Sequence, residues 1–209
     1  MDALDDLIEF GRAAAEGGLL QSTCGNASLR LDDETLLISA SGSSVARLKR
    51  SDLVRVRLSD GHSAEPDGGP KPSMETVLHR RIYQVRPEVR AILHGQSRSA
   101  TLAACMVEPP VCLDFVPEIP AYVRAHAYVP YAQPGSEALA AAVEAAFSDP
   151  EVTVVQMVNH GQVIVGAAWP DVIRRGAFFE LACFIATQPQ PTRTIPREDA
   201  AALRNYCRS

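Results

Sequence analysis

The chain has 209 residues, a formal net charge of −5 at pH 7 and 46% hydrophobic side chains. That is enough chain for one sizeable core and predicts a single domain over residues 1–209. It argues against a disordered chain and against nucleic acid as the partner, and the most basic run, RLKR at 47–50, reads as a solvated turn.

The opening MDALDDLIEF is acidic where a secretory signal is basic, and no apolar run reaches the ~18 residues of a membrane span, so a cytoplasmic protein is expected. Five cysteines, at 24, 105, 112, 183 and 207, form no C-x-x-C pair. They fit neither a disulfide framework nor a zinc knuckle, and Cys105 and Cys183 read as reduced core residues.

In chain order, Leu4, Leu7, Ile8 and Ala14 predict a helix over 2–16, stopped by Gly17–Gly18. ASLRL, LLIS and the alternating LVRVRL predict strands, separated by small-residue loops at CGN and SASGSS. Residues 60–72 read as a loop. Ser73 is the expected cap of a helix running to Val85 with Val77, Leu78 and Ile82 inward. VRAIL is a buried strand entering a helix capped by Ser97 or Ser99, and residues 109–131, rich in proline, predict only short strands.

GSEALAAAVEAAF is a helix capped by Ser136, VTVVQMV and QVIVG form a hairpin around NHG, and WPDVIRRGAFFELACFIA is the longest helix. The polar tail beyond 189 is expected to be surface-bound or mobile. Without regular β-α-β alternation, a mixed or antiparallel sheet under helices is favoured over a Rossmann fold.

Three polar places stand out. His94 ends a strand with Gln96 two residues on, and residues i and i+2 of an extended segment point to the same side. His160 ends another strand. Glu75 opens a helix, where a carboxylate also simply complements the helix dipole. Asn26, Ser41, Gly42 and Ser73 sit in loops with backbone N–H groups free for an anion. Cys24, beside Gly25, could line a pocket but carries no weight by itself. Each has an ordinary structural explanation by itself.

Taken in series, GNASLR, SASG, KPSMETVLHRRIY, RPEVRAILHGQ, VPYAQPGSEALA and VNHGQVIVG resemble the class II aldolase/adducin family over about residues 3–188, leaving 189–209 as a tail. That family includes aldolases, a 4-epimerase and a dehydratase of sugar phosphates. The resemblance implies a three-layer α/β/α fold with a mostly antiparallel sheet, and a homotetramer. It also implies a metal-dependent lyase (aldolase, decarboxylase or dehydratase) acting on a small hydroxylated carbonyl compound.

Carried over by position, His94 and His160 are metal ligands, Glu75 is the catalytic acid/base, and Asn26, Ser41, Gly42 and Ser73 bind the substrate phosphate. Zinc is the metal implied. Its Lewis acidity would stabilise an enediolate while a carboxylate lifted towards neutrality by burial moves the proton.

Two residues depart from that pattern. Gln96 stands where the metal enzymes have a second histidine; an amide oxygen is a harder, weaker ligand, which would suit manganese, magnesium or iron. Met74 replaces a serine, removing one donor to a phosphate. His79, one turn after Glu75, reads as structural or supporting. His126 and His62 sit in uncertain segments, with His126 a conceivable replacement ligand, and Tyr206 is similar in kind to tyrosines that relatives fold over the site. The alternative reading is a non-catalytic, adducin-like oligomeric binding protein that has lost its metal.

Overall fold

Local patterning sets the strands: in each, alternate side chains are apolar toward one of two helical layers. The computed structural model describes residues 2–63 and 69–206, together with the backbone but not the side chain of Tyr206. The strands are β1 (Asn26–Arg30), β2 (Thr35–Ser39), β3 (Leu53–Arg57), β4 (Ala91–Gly95), β5 (Ala125–Val129), β6 (Val152–Met157) and β7 (Gly161–Gly166). They form one sheet in the order β3-β2-β1-β4-β7-β6-β5. Every neighbouring pair is antiparallel except β5 and β6, which are joined through a helix and run parallel.

On one face lie α1 (Ala3–Glu16), α3 (Arg98–Ala104) and α5 (Trp169–Ala186). Leu7, Phe10, Leu93, Ile164 and Phe179 close that core. The other face is covered by α2 (Thr76–Val85) and α4 (Glu137–Phe147), over Ile38, Val56, Ile82, Ile92, Phe147 and Val165. The strand alternation is visible in β4, where Ala91 and Leu93 face the first core and Ile92 the second. The α/β/α expectation is met.

Helix ends follow their caps with two exceptions. Ser136 accepts from Leu139 N at 3.1 Å and starts α4 as expected. Ser73, expected as the cap of α2, lies three residues before its first turn. Its hydroxyl accepts from Glu75 N at 3.2 Å and its carbonyl from Thr76, so Glu75 takes the cap position with φ −94° and ψ 13°. Neither Ser97 nor Ser99 caps α3 with its own side chain. Glu180 of α5 does so, accepting from Ser99 N at 2.7 Å and Ala100 N at 2.9 Å, and from the Ser97 hydroxyl at 2.6 Å.

Other expectations are corrected by the fold. Cys183 is fully buried, whereas Cys105 ends α3 and is exposed, because a seven-residue helix turns it past the core edge. Residues 109–131 hold one strand, β5, after a wide π-type turn at Ile119–Val123. The tail is docked: α6 (Arg197–Tyr206) buries Ala200, and Arg204 makes a bidentate pair with Asp114 at 2.7 and 2.8 Å. Cys207 and residues 64–68 of the 60–72 loop lie outside the described residues.

Candidate metal centre

β1 and β4 are hydrogen-bonded neighbours with Asn26 opposite His94, so both side chains leave the same face at the same end of the sheet. The β6–β7 turn brings His160 beside them, with Asn159 in the left-handed region at φ 55°, which asparagine tolerates. Two glycines permit this crowding. A Cβ on Gly25, whose φ is +101°, would meet the His94 carbonyl oxygen at 2.5 Å. One on Gly161 would meet the Gly95 carbonyl oxygen at 2.5 Å, Gln96 Cγ at 2.8 Å and His94 Cε1 at 3.2 Å.

The start of α2 then drops Glu75, 6% exposed, between the two imidazoles. Its Oε2 lies 3.4 Å from His94 Nε2 and its Oε1 3.6 Å from His160 Nε2. Both distances are long for hydrogen bonds. They leave both Nε2 atoms close to the carboxylate without engaging it, near the roughly 3.3–3.4 Å that separates two ligand atoms on a divalent cation at 2.0–2.1 Å. Glu75 Oε1 is buried with no hydrogen-bond partner among the described residues, which leaves it free to take up a proton or to meet a cation. His94 Nδ1–H donates to the Gln162 carbonyl at 3.1 Å, which fixes the tautomer and turns the Nε2 lone pair into the cleft. The donor set Glu75, His94 and His160, with its ligand atoms within 4.8 Å of one another, fits a divalent metal.

Gln96 is also here. Its Nε2 donates to the His160 carbonyl at 3.0 Å, so the amide oxygen is the end left for a ligand role. Asn26, Ser41, Gly42, Ser73 and Met74 line the same cleft of about 230 Å³, together with Thr23, Cys24 and Ser43, which motif reading had not assigned or had given no weight. Their run of small side chains beside a left-handed Gly42 (φ +78°) was the available signal. Among the described residues, no lysine or arginine lines the cleft. Met74 is 72% exposed.

His126 is on the other side of the sheet, its ring against Phe179 and Tyr128, and takes no part. His62 is exposed in the 60–72 loop. The side chain of Tyr206 lies outside the described residues.

Burial pushes the Glu75 carboxyl up, but the opposing pull of His94, the Asn26 amide, His160 and His79 is larger, and the group ends below its usual range. The expectation of a carboxyl lifted towards neutrality is therefore corrected: Glu75 is ionised near neutral pH. His160 is pushed down, by burial first and His94 second, so its imidazole is neutral and ready to ligate.

The family described as Class II Aldolase and Adducin N-terminal domain matches residues 5–187. The chain belongs to it. Over 206 residues it is 31% identical to the 3-oxo-tetronate 4-phosphate decarboxylase of Haemophilus influenzae, spanning 95% of this chain and 94% of that protein. The methylthioribulose-1-phosphate dehydratase of Methylococcus capsulatus is 39% identical over 109 residues, 52% of each chain. Among solved structures, an L-fuculose 1-phosphate aldolase superimposes with a TM-score of 0.86 at 25% identity, covering 100% of this chain and 97% of that one. YgbL of Klebsiella pneumoniae superimposes at 0.85 and 26% identity, covering 96% and 97%. This class II aldolase-like chain is an enzyme of the lyase type, from a family that depends on divalent metals.

His79 is fully buried beneath the site, and desolvation pushes its imidazole down to about 3 from an ordinary 6.5. The folded protein holds it neutral, whereas the unfolded chain takes up a proton as pH falls through 6.5. Stability is thus lost on acidification between about 6.5 and 3, on the order of 5 kcal/mol in all from this residue. Urea unfolding of wild type and His79→Gln across pH 7 to 4 checks this. The wild-type curve is expected to fall more steeply; parallel curves would rule the linkage out.

Proposed function

We propose that this aldolase-family chain is a metal-dependent lyase acting on a small phosphorylated keto compound, with decarboxylation of a 3-oxo acid as the first reading. The observation that carries it is the buried carboxylate of Glu75, unpartnered at Oε1, between two imidazoles whose Nε2 atoms converge on it. The near full-length likeness to a decarboxylase supports the choice of bond.

In this reading His94 and His160 hold the metal, and Gln96 contributes its amide oxygen. A bound divalent metal supplies Lewis acidity towards the substrate carbonyl. Zinc follows from family resemblance; the glutamine oxygen favours manganese, magnesium or iron. Glu75, fixed by Asn26, relays a proton taken up from solvent to the carbon left when carbon dioxide departs. Ser41, Gly42, Ser73 and Asn26 bind the anionic end through neutral donors, since no cationic side chain among the described residues lines the cleft.

A homotetramer is part of the proposal. Leu102 on α3 and Leu181 and Phe184 on α5 are 54%, 40% and 53% exposed, an apolar face that a second copy would cover.

The test is a metal-supplemented assay on three probes: 3-oxo-tetronate 4-phosphate for release of carbon dioxide, methylthioribulose 1-phosphate for loss of water, and fuculose 1-phosphate for cleavage. Turnover of the first is expected, from protein sedimenting at about four times its 22.5 kDa chain mass. Turnover of the second or third alone would move the reaction to dehydration or aldol cleavage. No turnover of any, with no metal bound, would leave the adducin-like binding protein.

A further inference from the structure

Behind the cleft, the face of β1 that meets α2 is polar throughout. Asn26, Ser28 and Arg30 alternate along the strand, and Glu75, His79 and Tyr83 recur every fourth residue along the helix. Two strand residues advance about 6.7 Å and four helix residues about 6 Å, so the two rows stay in step. Asn26 Nδ2 donates to Glu75 Oε2 at 2.9 Å, and Asn26 Oδ1 meets His79 Nε2 at 2.6 Å. His79 Nδ1 meets Ser28 Oγ at 2.7 Å, and Ser28 Oγ meets Tyr83 Oη at 2.9 Å. His79, Ser28 and Tyr83 are fully buried, and Asn26 is 7% exposed.

Donor and acceptor chemistry permits one direction through this chain. Asn26 turns its NH2 to Glu75 Oε2, which accepts, and its oxygen to His79 Nε2. That oxygen only accepts, so His79 carries its hydrogen on Nε2. Nδ1 is then an acceptor, Ser28 donates to it, and the Tyr83 hydroxyl donates to Ser28. Every hydrogen bond points towards Glu75. Burial pushes the Tyr83 hydroxyl up, so the far end stays a neutral donor.

We infer that His79 is a positioning residue for the reaction: as its Nε2–H tautomer it holds the Asn26 amide in the one orientation that donates to Glu75. This rests on the acid/base role proposed for Glu75. A histidine that merely filled the core would need no particular tautomer, and a polar seam whose partners were interchangeable would tolerate the amide turned over. With the amide turned, two oxygens would face each other at 2.9 Å, and Glu75 Oε2 would lose its only hydrogen bond from a side chain among the described residues.

The inference makes His79→Gln and His79→Asn differ. A glutamine amide nitrogen reaches the place of Nε2 and can still donate to Asn26. An asparagine reaches only the place of Nδ1. His79→Asn and His79→Phe are expected to lose about 10–100-fold in kcat, the usual cost of removing a partner that orients a catalytic group, with metal content unchanged. His79→Gln is expected to recover most of that loss. Asparagine as active as glutamine, or metal lost along with kcat, would overturn the assignment.

A second measurement needs no substrate. Ring-nitrogen NMR of histidine-labelled wild type near neutral pH, with His79 identified by the signals missing from His79→Gln, is expected to show hydrogen on Nε2 and none on Nδ1. Hydrogen on Nδ1 overturns the inference even if the enzyme is active. Absence of turnover on every probe, with the expected tautomer present, counts against the proposed reaction and not against the direction of the chain.

Discussion

Replacing Glu75 with glutamine is expected to cut turnover by about 10²–10⁴-fold while bound metal and thermal midpoint stay close to wild type. The side chain is buried, its Oε2 accepts from Asn26, and its Oε1 faces His160 with no hydrogen-bond partner. Glutamine keeps the shape and an oxygen that Asn26 can donate to, but it cannot take up a proton. The charge balance sharpens the expectation. Because the histidines and the Asn26 amide hold the carboxyl below its usual range, Glu75 is ionised at rest and in the proposed reaction takes up a proton before delivering it. Initial rates, metal analysis and thermal melts on the same preparation check the result. Unchanged turnover would remove Glu75 from the mechanism, and loss of metal would move it into the ligand set.

The second large effect concerns the metal. Protein purified without chelator or added metal is expected to carry near-stoichiometric divalent cation, and His94→Ala and His160→Ala are each expected to lose it. His94 Nδ1 donates to the Gln162 carbonyl, which leaves Nε2 facing the cleft, and burial pushes the His160 imidazole towards its neutral form. Gln96→His should tighten zinc by at least tenfold, about 1.4 kcal/mol, since an imidazole nitrogen is a better zinc ligand than an amide oxygen. Gln96→Ala should weaken manganese or magnesium. Elemental analysis and competition with a chromophoric chelator read all four variants. A wild type that neither contains nor takes up metal would remove the proposed chemistry, and equal zinc affinity in the wild type and Gln96→His would show that position 96 does not touch the cation.

Much of the architecture was legible from local pattern. α5 spans Trp169–Ala186, the run its proline start and apolar period predict, and the β6–β7 hairpin turns at NHG as expected. His94 and Gln96 do line one cleft with Glu75 and His160. What patterning misjudged were properties that depend on more distant chain. Cys105 looks buried by its neighbours and is exposed, because α3 ends at the rim. Ser73 looks like a cap, yet the turn tightens so that Glu75 takes that place. The tail reads as surface-bound or mobile, and the Arg204–Asp114 pair decides for the first.

By itself, then, the sequence determined the elements, the apolar faces that stack them in three layers, and the residue types able to hold a metal and move a proton. These follow from hydrogen bonding and side-chain periodicity over one helical turn or one strand pleat. Only the tertiary structure decided that Glu75 is ionised and not lifted, and that Asn26 is engaged by residues 49 and 53 positions away. It also decided that a histidine behind the site sets the direction of the hydrogen bonds reaching that carboxylate. Charge and hydrogen-bond polarity are summed over neighbours in space, and folding brings those neighbours from two strands, a hairpin turn and a helix to within a few ångströms.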